Sequence, residues 1–253
     1  MGIVAKKVKK CLAESPVLKR NIFKILSEDI DSYGKLETSL YTELGKVGFF
    51  AIYGDAFSID GKGILITGNG SEGKTPLAEY FKRNNNGRYK PLGSDSVYLF
   101  AENNEKPALL QIPNAHEYTH LGWQDIMKIF SRGVERFTQL DLWVHLISTN
   151  RTENHERVVI PGGYRNEAIS VAGDIFTRES VRKLLGNRTS NVPYFAIRKP
   201  HGYEEDKSIP EINDWANPKE RAENEMMRYE KDVARTAKAV ERLFAGETNG
   251  FSF

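Results

Sequence analysis

The densest chemistry in the chain lies in eight consecutive residues. Gly68-Asn69-Gly70-Ser71-Glu72-Gly73-Lys74-Thr75 spells G-x-x-x-x-G-K-T. Glycines at these spacings let a backbone wrap an anion so that successive N–H groups point inward, and a helix starting at the end of the loop adds its positive terminus. Lys74 supplies a mobile cation for β- and γ-phosphates, and the Thr75 hydroxyl is a ligand for Mg²⁺. With ordinary glycine and lysine usage such a pattern arises by chance in about one chain per hundred of this size. The spacing predicts a nucleotide-phosphate site using ATP and Mg²⁺. It does not distinguish ATP from another phosphoryl donor, and it is silent on the acceptor.

The loop needs a strand before it and a helix after it, and both are legible. Ile64-Leu65-Ile66-Thr67 is a short apolar run of the buried-strand kind. Pro76 to Arg83 reads as a helix with Leu77, Tyr80 and Phe81 on one side. Pro76 itself is tolerated there because a first helical turn has no use for its missing N–H. Upstream, residues 47–53 are strand-like, residues 55–60 alternate, and Asp60-Gly61-Lys62-Gly63 is a turn. Downstream, strands are expected at Val97–Phe100, Leu109–Ile112 and Leu140–Ile147, and helices at Asp125–Phe137 and Thr177–Leu185. A last helix is expected from about Pro218 to Phe244, with Pro218 at its start and Met226, Val233 and Val240 recurring every seven residues.

These elements predict an α/β (mixed α+β) fold with a mixed sheet around a P-loop core and a helical C-terminal extension. Three segments are expected: a basic, partly helical leader over 1–45, the core over 46–198, and a linker with an amphipathic helix over 199–253. That helix reads either as lying on its own domain or as a subunit contact, so a homo-oligomer is one expectation. The chain has 253 residues, of which 40% are hydrophobic, enough to bury a substantial core. Its 36 basic and 34 acidic residues leave a net charge of +2, which is no electrostatic footprint for a dedicated nucleic-acid binder. One cysteine, Cys11, excludes an intramolecular disulfide. No apolar run reaches the ~20 residues that span a bilayer, and the first residues lack a signal-peptide pattern. A cytoplasmic protein with no membrane partner is expected.

Beyond the loop, the order of segments resembles the kinase domain of HPr kinase/phosphorylase, within the wider phosphoenolpyruvate-carboxykinase-like P-loop group, from about Tyr53 to Gly186. Tyr53-Gly54 followed by Gly61-Lys62-Gly63-Ile64-Leu65-Ile66-Thr67-Gly68 is similar to the family's His-Gly strand and its G-x-G-V-L-I-T-G run. Leu92-Gly93-Ser94-Asp95-Ser96 stands where the family has Ala-Asp-Asp. Glu117-Tyr118-Thr119-His120-Leu121-Gly122 resembles its E-x-R-G-L-G segment, and Asp141–Leu146 followed by Arg165-Asn166 resembles its D-L-V-V-x-L strand and P-G-R-N loop.

The resemblance implies that Asp95 is the general base that accepts the substrate hydroxyl proton. A carboxylate beside a strand start, about 20 residues beyond a P-loop, is also well placed to meet a γ-phosphate, although an Asx turn between Ser94 and Ser96 is the plainer alternative. The resemblance further implies that Glu117 lies near the metal or the catalytic loop and that Arg165 acts from a flexible loop on the transferring phosphate or the partner. A solvated acid and a surface arginine are the respective alternatives. The histidines His116, His120 and His145 read as polar surface or satisfied core groups.

Departures from the family pattern bear on the substrate. Its histidine is Tyr53 here, its second aspartate is Ser96, the acid after the loop hydroxyl is Pro76, and its separate N-terminal domain has no counterpart in residues 1–45. Hydroxyl phosphorylation survives these changes, whereas a phosphorylase back-reaction and a phosphocarrier substrate do not follow. The leading expectation is a kinase for a serine-type hydroxyl on a protein or peptide. The alternatives are a kinase for a small hydroxyl metabolite (free amino acid, sugar or nucleoside) and a non-kinase, nucleotide-switched binding module.

Overall fold

In the computed structural model the described residues are 42, 44–46, 48–85, 87–94, 97–101, 105–111, 136–149, 157–172, 179–200 and 218–253. The backbone is organised by one long strand. Residues 136–149 include seven apolar side chains (Phe137, Leu140, Leu142, Trp143, Val144, Leu146 and Ile147), and they form β7 (Arg136–Thr149). A near-continuous apolar strand of this kind needs cover on both faces, which is the pattern of parallel sheets packed between helices. β7 receives it. Its first half pairs antiparallel with β6 (Ala108–Gln111). Its second half lies parallel to β3 (Lys62–Thr67) on one side and to β9 (Tyr194–Pro200) on the other.

The sheet runs β1 (Phe49–Ile52), β5 (Val97–Phe100), β6, β7, β3, β2 (Asp55–Ile59), β4 (Tyr89–Gly93). Beyond β9 come β8 (Val158–Pro161) and β10 (Phe251–Ser252), both antiparallel. It is a mixed sheet, as expected. β2 and β3 form a two-residue hairpin in which Asp60 and Gly61 both take positive φ, 51° and 80°. That is the turn whose twist matches paired strands, and Asp and Gly tolerate it best.

Helices cover both faces. On one face, α1 (Lys74–Asn84) and α4 (Pro218–Phe244) pack on Ile64, Ile66, Leu142, Val144, Phe195 and Ile197. On the other, α2 (Arg165–Ala172) and α3 (Glu179–Arg188) pack on Leu65, Trp143 and Tyr194. The alternation along β3, β7 and β9 is the period-2 geometry of a strand. Phe57 sits between Phe81 and Tyr89, with ring centroids 5.3 and 5.1 Å away. Such pairs contribute about 0.5–1.5 kcal/mol each beyond the area they bury.

Several expectations change. The helix expected over Asp125–Phe137 cannot include its last two residues, because Arg136 and Phe137 open β7 and pair with Gln111 and Leu110; residues 125–135 lie outside the described residues. The linker expected from 199 starts later, since Lys199 and Pro200 complete β9. The last helix has the expected bounds. However, Val233 and Val240 are buried while Met226 is 59% exposed, so the packed stripe is shorter than the heptad suggested. Among the described residues no helix is long and apolar enough to cross a membrane.

Candidate phosphate-loop site

β3 delivers the chain to the loop, and α1 begins at Lys74. Gly73 precedes the helix with φ 87°, a left-handed conformation that favours glycine, and Ser71 also takes positive φ, 67°. Lys74 is only 5% exposed, and its ammonium is held inside the loop. Nζ donates to the carbonyls of Gly68 at 2.9 Å and Asn69 at 2.8 Å, and it lies 4.4 Å from the centre of the Tyr53 ring. Tyr53 thus faces the lysine from the position where the resembling family has histidine.

Glu72 braces the loop from beneath. Its carboxylate accepts from Asn69 N at 2.6 Å and from Ser148 N, near the end of β7, at 3.3 Å. Burial pushes the Glu72 carboxyl above the ordinary glutamate range, and these N–H donors and the Lys74 charge act against that shift. Under the loop, Thr67 Oγ1 accepts from Trp143 Nε1 at 2.8 Å and shares a hydrogen bond with His145 Nδ1 at 3.0 Å. Burial and the nearby Lys74 charge hold the His145 pKa down to about 4, so the imidazole is neutral at pH 7.

At the far end of the loop, Thr75 Oγ1 donates to Asp55 Oδ2 at 3.2 Å, and Ser94 Oγ donates to Asp55 Oδ1 at 2.5 Å. Asp55 is 1% exposed. The β2–β3 pairing sets Asp55 opposite Ile66, two residues before Gly68. The backbones are so close here that a side-chain carbon on Gly54 would fall 2.5 Å from the Ile66 carbonyl oxygen. A threonine hydroxyl and a carboxylate meeting at the end of a phosphate loop are the oxygen donors that Mg²⁺ takes together with nucleotide phosphates and water. Among the described residues no group of three or more His, Cys, Asp or Glu side chains is arranged to hold a metal ion.

The expected loop residues Gly68 to Thr75 are therefore together, whereas Asp95 and Glu117 lie outside the described residues. Ser94, the neighbour of Asp95, is at Asp55. Arg165 begins α2, and among the described residues its hydrogen bonds go to Thr189. Its guanidinium donates to the Thr189 carbonyl at 2.5 Å and lies 5.2 Å from the Tyr194 ring centre and 5.9 Å from that of Trp143. Burial lowers its pKa from the usual arginine value, against the pull of Tyr194. Asp55 was missed as a site residue in the sequence. The available signal was a carboxylate opening an otherwise apolar strand directly after Tyr53-Gly54.

No family model matches the chain, and no curated protein matches it. Among solved structures, a similarity is found to the HPr(Ser) kinase/phosphatase from Coxiella burnetii, at 15% identity and a TM-score of 0.33, covering 76% of this chain and 97% of that one. Similarity at this level carries no inference about fold kinship or activity.

Proposed function

We propose that the chain is a Mg²⁺-dependent kinase that moves the γ-phosphoryl group of ATP to a serine-type hydroxyl of a protein or peptide. One observation carries the phosphotransfer reading: a buried lysine inside a G-x-x-x-x-G-K-T loop whose terminal threonine is paired with a buried aspartate. The serine-type acceptor rests on the order of sequence motifs described above.

Mg²⁺, when bound, would offset the negative charge of the phosphates. Thr75 and Asp55 would hold it. Asp55 suits that role better than a base, because it is shut from solvent and already accepts two hydrogen bonds. The backbone N–H groups of the loop and Lys74 bind and orient the phosphates. As the acceptor oxygen bonds to the γ-phosphorus, the bond to the β–γ bridging oxygen breaks and ADP leaves with that oxygen. Asp95 takes the hydroxyl proton in this reading.

The test is ATP consumption with Mg²⁺ by wild type and Lys74→Ala, offered serine-containing peptides, free serine, sugars and nucleosides. Peptide-stimulated turnover that falls about 100-fold or more in Lys74→Ala is expected. Stimulation by a small hydroxyl compound alone would move the acceptor to that class. Nucleotide binding with no stimulation by any acceptor would replace the kinase with a nucleotide-switched module.

A further inference from the structure

Lys199 plays no part in the site described so far, yet it stands beside it. β9 runs parallel to β7, and Lys199 is the register partner of Ser148, whose N–H is bonded to Glu72 of the phosphate loop. The carboxyl ends of β3, β7 and β9 thus bring the loop, Ser148 and Lys199 to one edge of the sheet, which is where open α/β sheets bind their ligands. A side-chain carbon added at Gly73 would lie 3.4 Å from Lys199 Nζ.

The ammonium is enclosed. Lys199 Nζ donates to Asp232 Oδ2 at 2.8 Å, and Asp232 Oδ1 meets the Arg157 guanidinium at 2.5 Å. The three side chains are only 10%, 9% and 3% exposed respectively. Two cations therefore share this carboxylate, next to a loop that carries the buried Lys74 and the buried Glu72. A buried ion pair is a weak source of stability on its own. Among the described residues, Asp232 is the acceptor of the Lys199 ammonium, which has three protons to donate. A phosphate bound in the loop would supply further acceptors for those protons.

We propose that Lys199 is a second cation of the phosphate site, donating to a phosphate oxygen of the bound nucleotide while Asp232 and Arg157 hold it over Gly73. The proposal rests on the nucleotide-binding part of the functional reading and extends it. It also links the loop to α4, because Asp232 is the α4 residue that competes with phosphate for this ammonium.

Titration calorimetry of the full chain with MgATP, MgADP and inorganic tripolyphosphate tests this, with thermal melts of each variant. Lys199→Met is expected to weaken MgATP binding by about 10- to 50-fold, and Lys199→Arg to recover much of it. Asp232→Asn is expected to lower the melting temperature and yet tighten MgATP binding by about threefold or more, since the phosphate no longer competes with a carboxylate. A purely structural ion pair would lower the melting temperature in both variants and leave affinity alone.

A folded Lys199→Met protein that binds MgATP within about threefold of wild type overturns the proposal. If that variant does not fold, Asp232→Asn decides, and unchanged or weaker binding overturns it. Loss of binding in Lys74→Ala without any effect at Lys199 removes this assignment alone. A wild-type chain that binds none of the three ligands removes the phosphate-loop reading and this proposal with it.

Discussion

Thr75 and Asp55 are 20 residues apart in the chain and 3.2 Å apart in space, hydroxyl to carboxylate, at the point where the phosphate loop becomes a helix. The pairing exists because β2 and β3 fold back on each other at Asp60-Gly61. The carboxylate then lies beside the strand that leads into the loop. A buried acid with hydroxyl donors on both oxygens is held in one orientation, as a metal-side ligand must be.

For Asp55→Asn, the amide retains one acceptor oxygen and the side-chain shape but loses the charge that would face Mg²⁺. Turnover with MgATP should fall by about 100-fold or more, while binding of metal-free ADP stays within about threefold. Kinase assays over a Mg²⁺ series, set beside calorimetry in chelator, check this. Full activity at ordinary Mg²⁺ would remove Asp55 from the metal site.

His145 makes stability depend on pH in a direction that can be worked out. Its folded pKa of about 4 is below the ordinary 6.5, so unfolding takes up a proton. The contribution is fully present above pH 6.5 and is lost as the pH falls through the window down to about 4, a change of about 3 kcal/mol. Urea unfolding of wild type and His145→Gln at steps from pH 7.5 to 4.5 isolates it. The stability difference between the two should shrink as the pH drops, and a constant difference would contradict the burial argument.

Arg165 separates a structural from a catalytic role. Removing its bond to the Thr189 carbonyl and its stacking on Tyr194 and Trp143 should destabilise Arg165→Ala by about 2–4 kcal/mol with nucleotide affinity unchanged. Denaturant midpoints and nucleotide titration measure both quantities. Turnover reduced about 100-fold with stability intact would instead place the guanidinium on the transferring phosphate, as the family resemblance implies.

The turn from β3 into α1 was legible because its requirements are local. Glycine at Gly73 answers a backbone conformation, Lys74 and Thr75 open the helix that follows, and all lie within eight residues. The same holds for the Asp60-Gly61 turn and for the terminal helix, whose start at Pro218 follows from where proline is tolerated. Asp55 was not legible as a site residue, since only the hairpin pairing turns an acid in an apolar strand into a neighbour of Thr75. Nor was the depth at which α4 packs, with Val233 covered and Met226 exposed. Lys199 read as the start of a polar linker. It becomes the last cation of a buried strand only because β7 offers it Ser148 as a partner. Composition and spacing therefore determined which backbone could cradle a phosphate. Tertiary structure decided which charges surround it, because strand pairing joins residues far apart in the chain and the low-polarity interior magnifies each charge placed there.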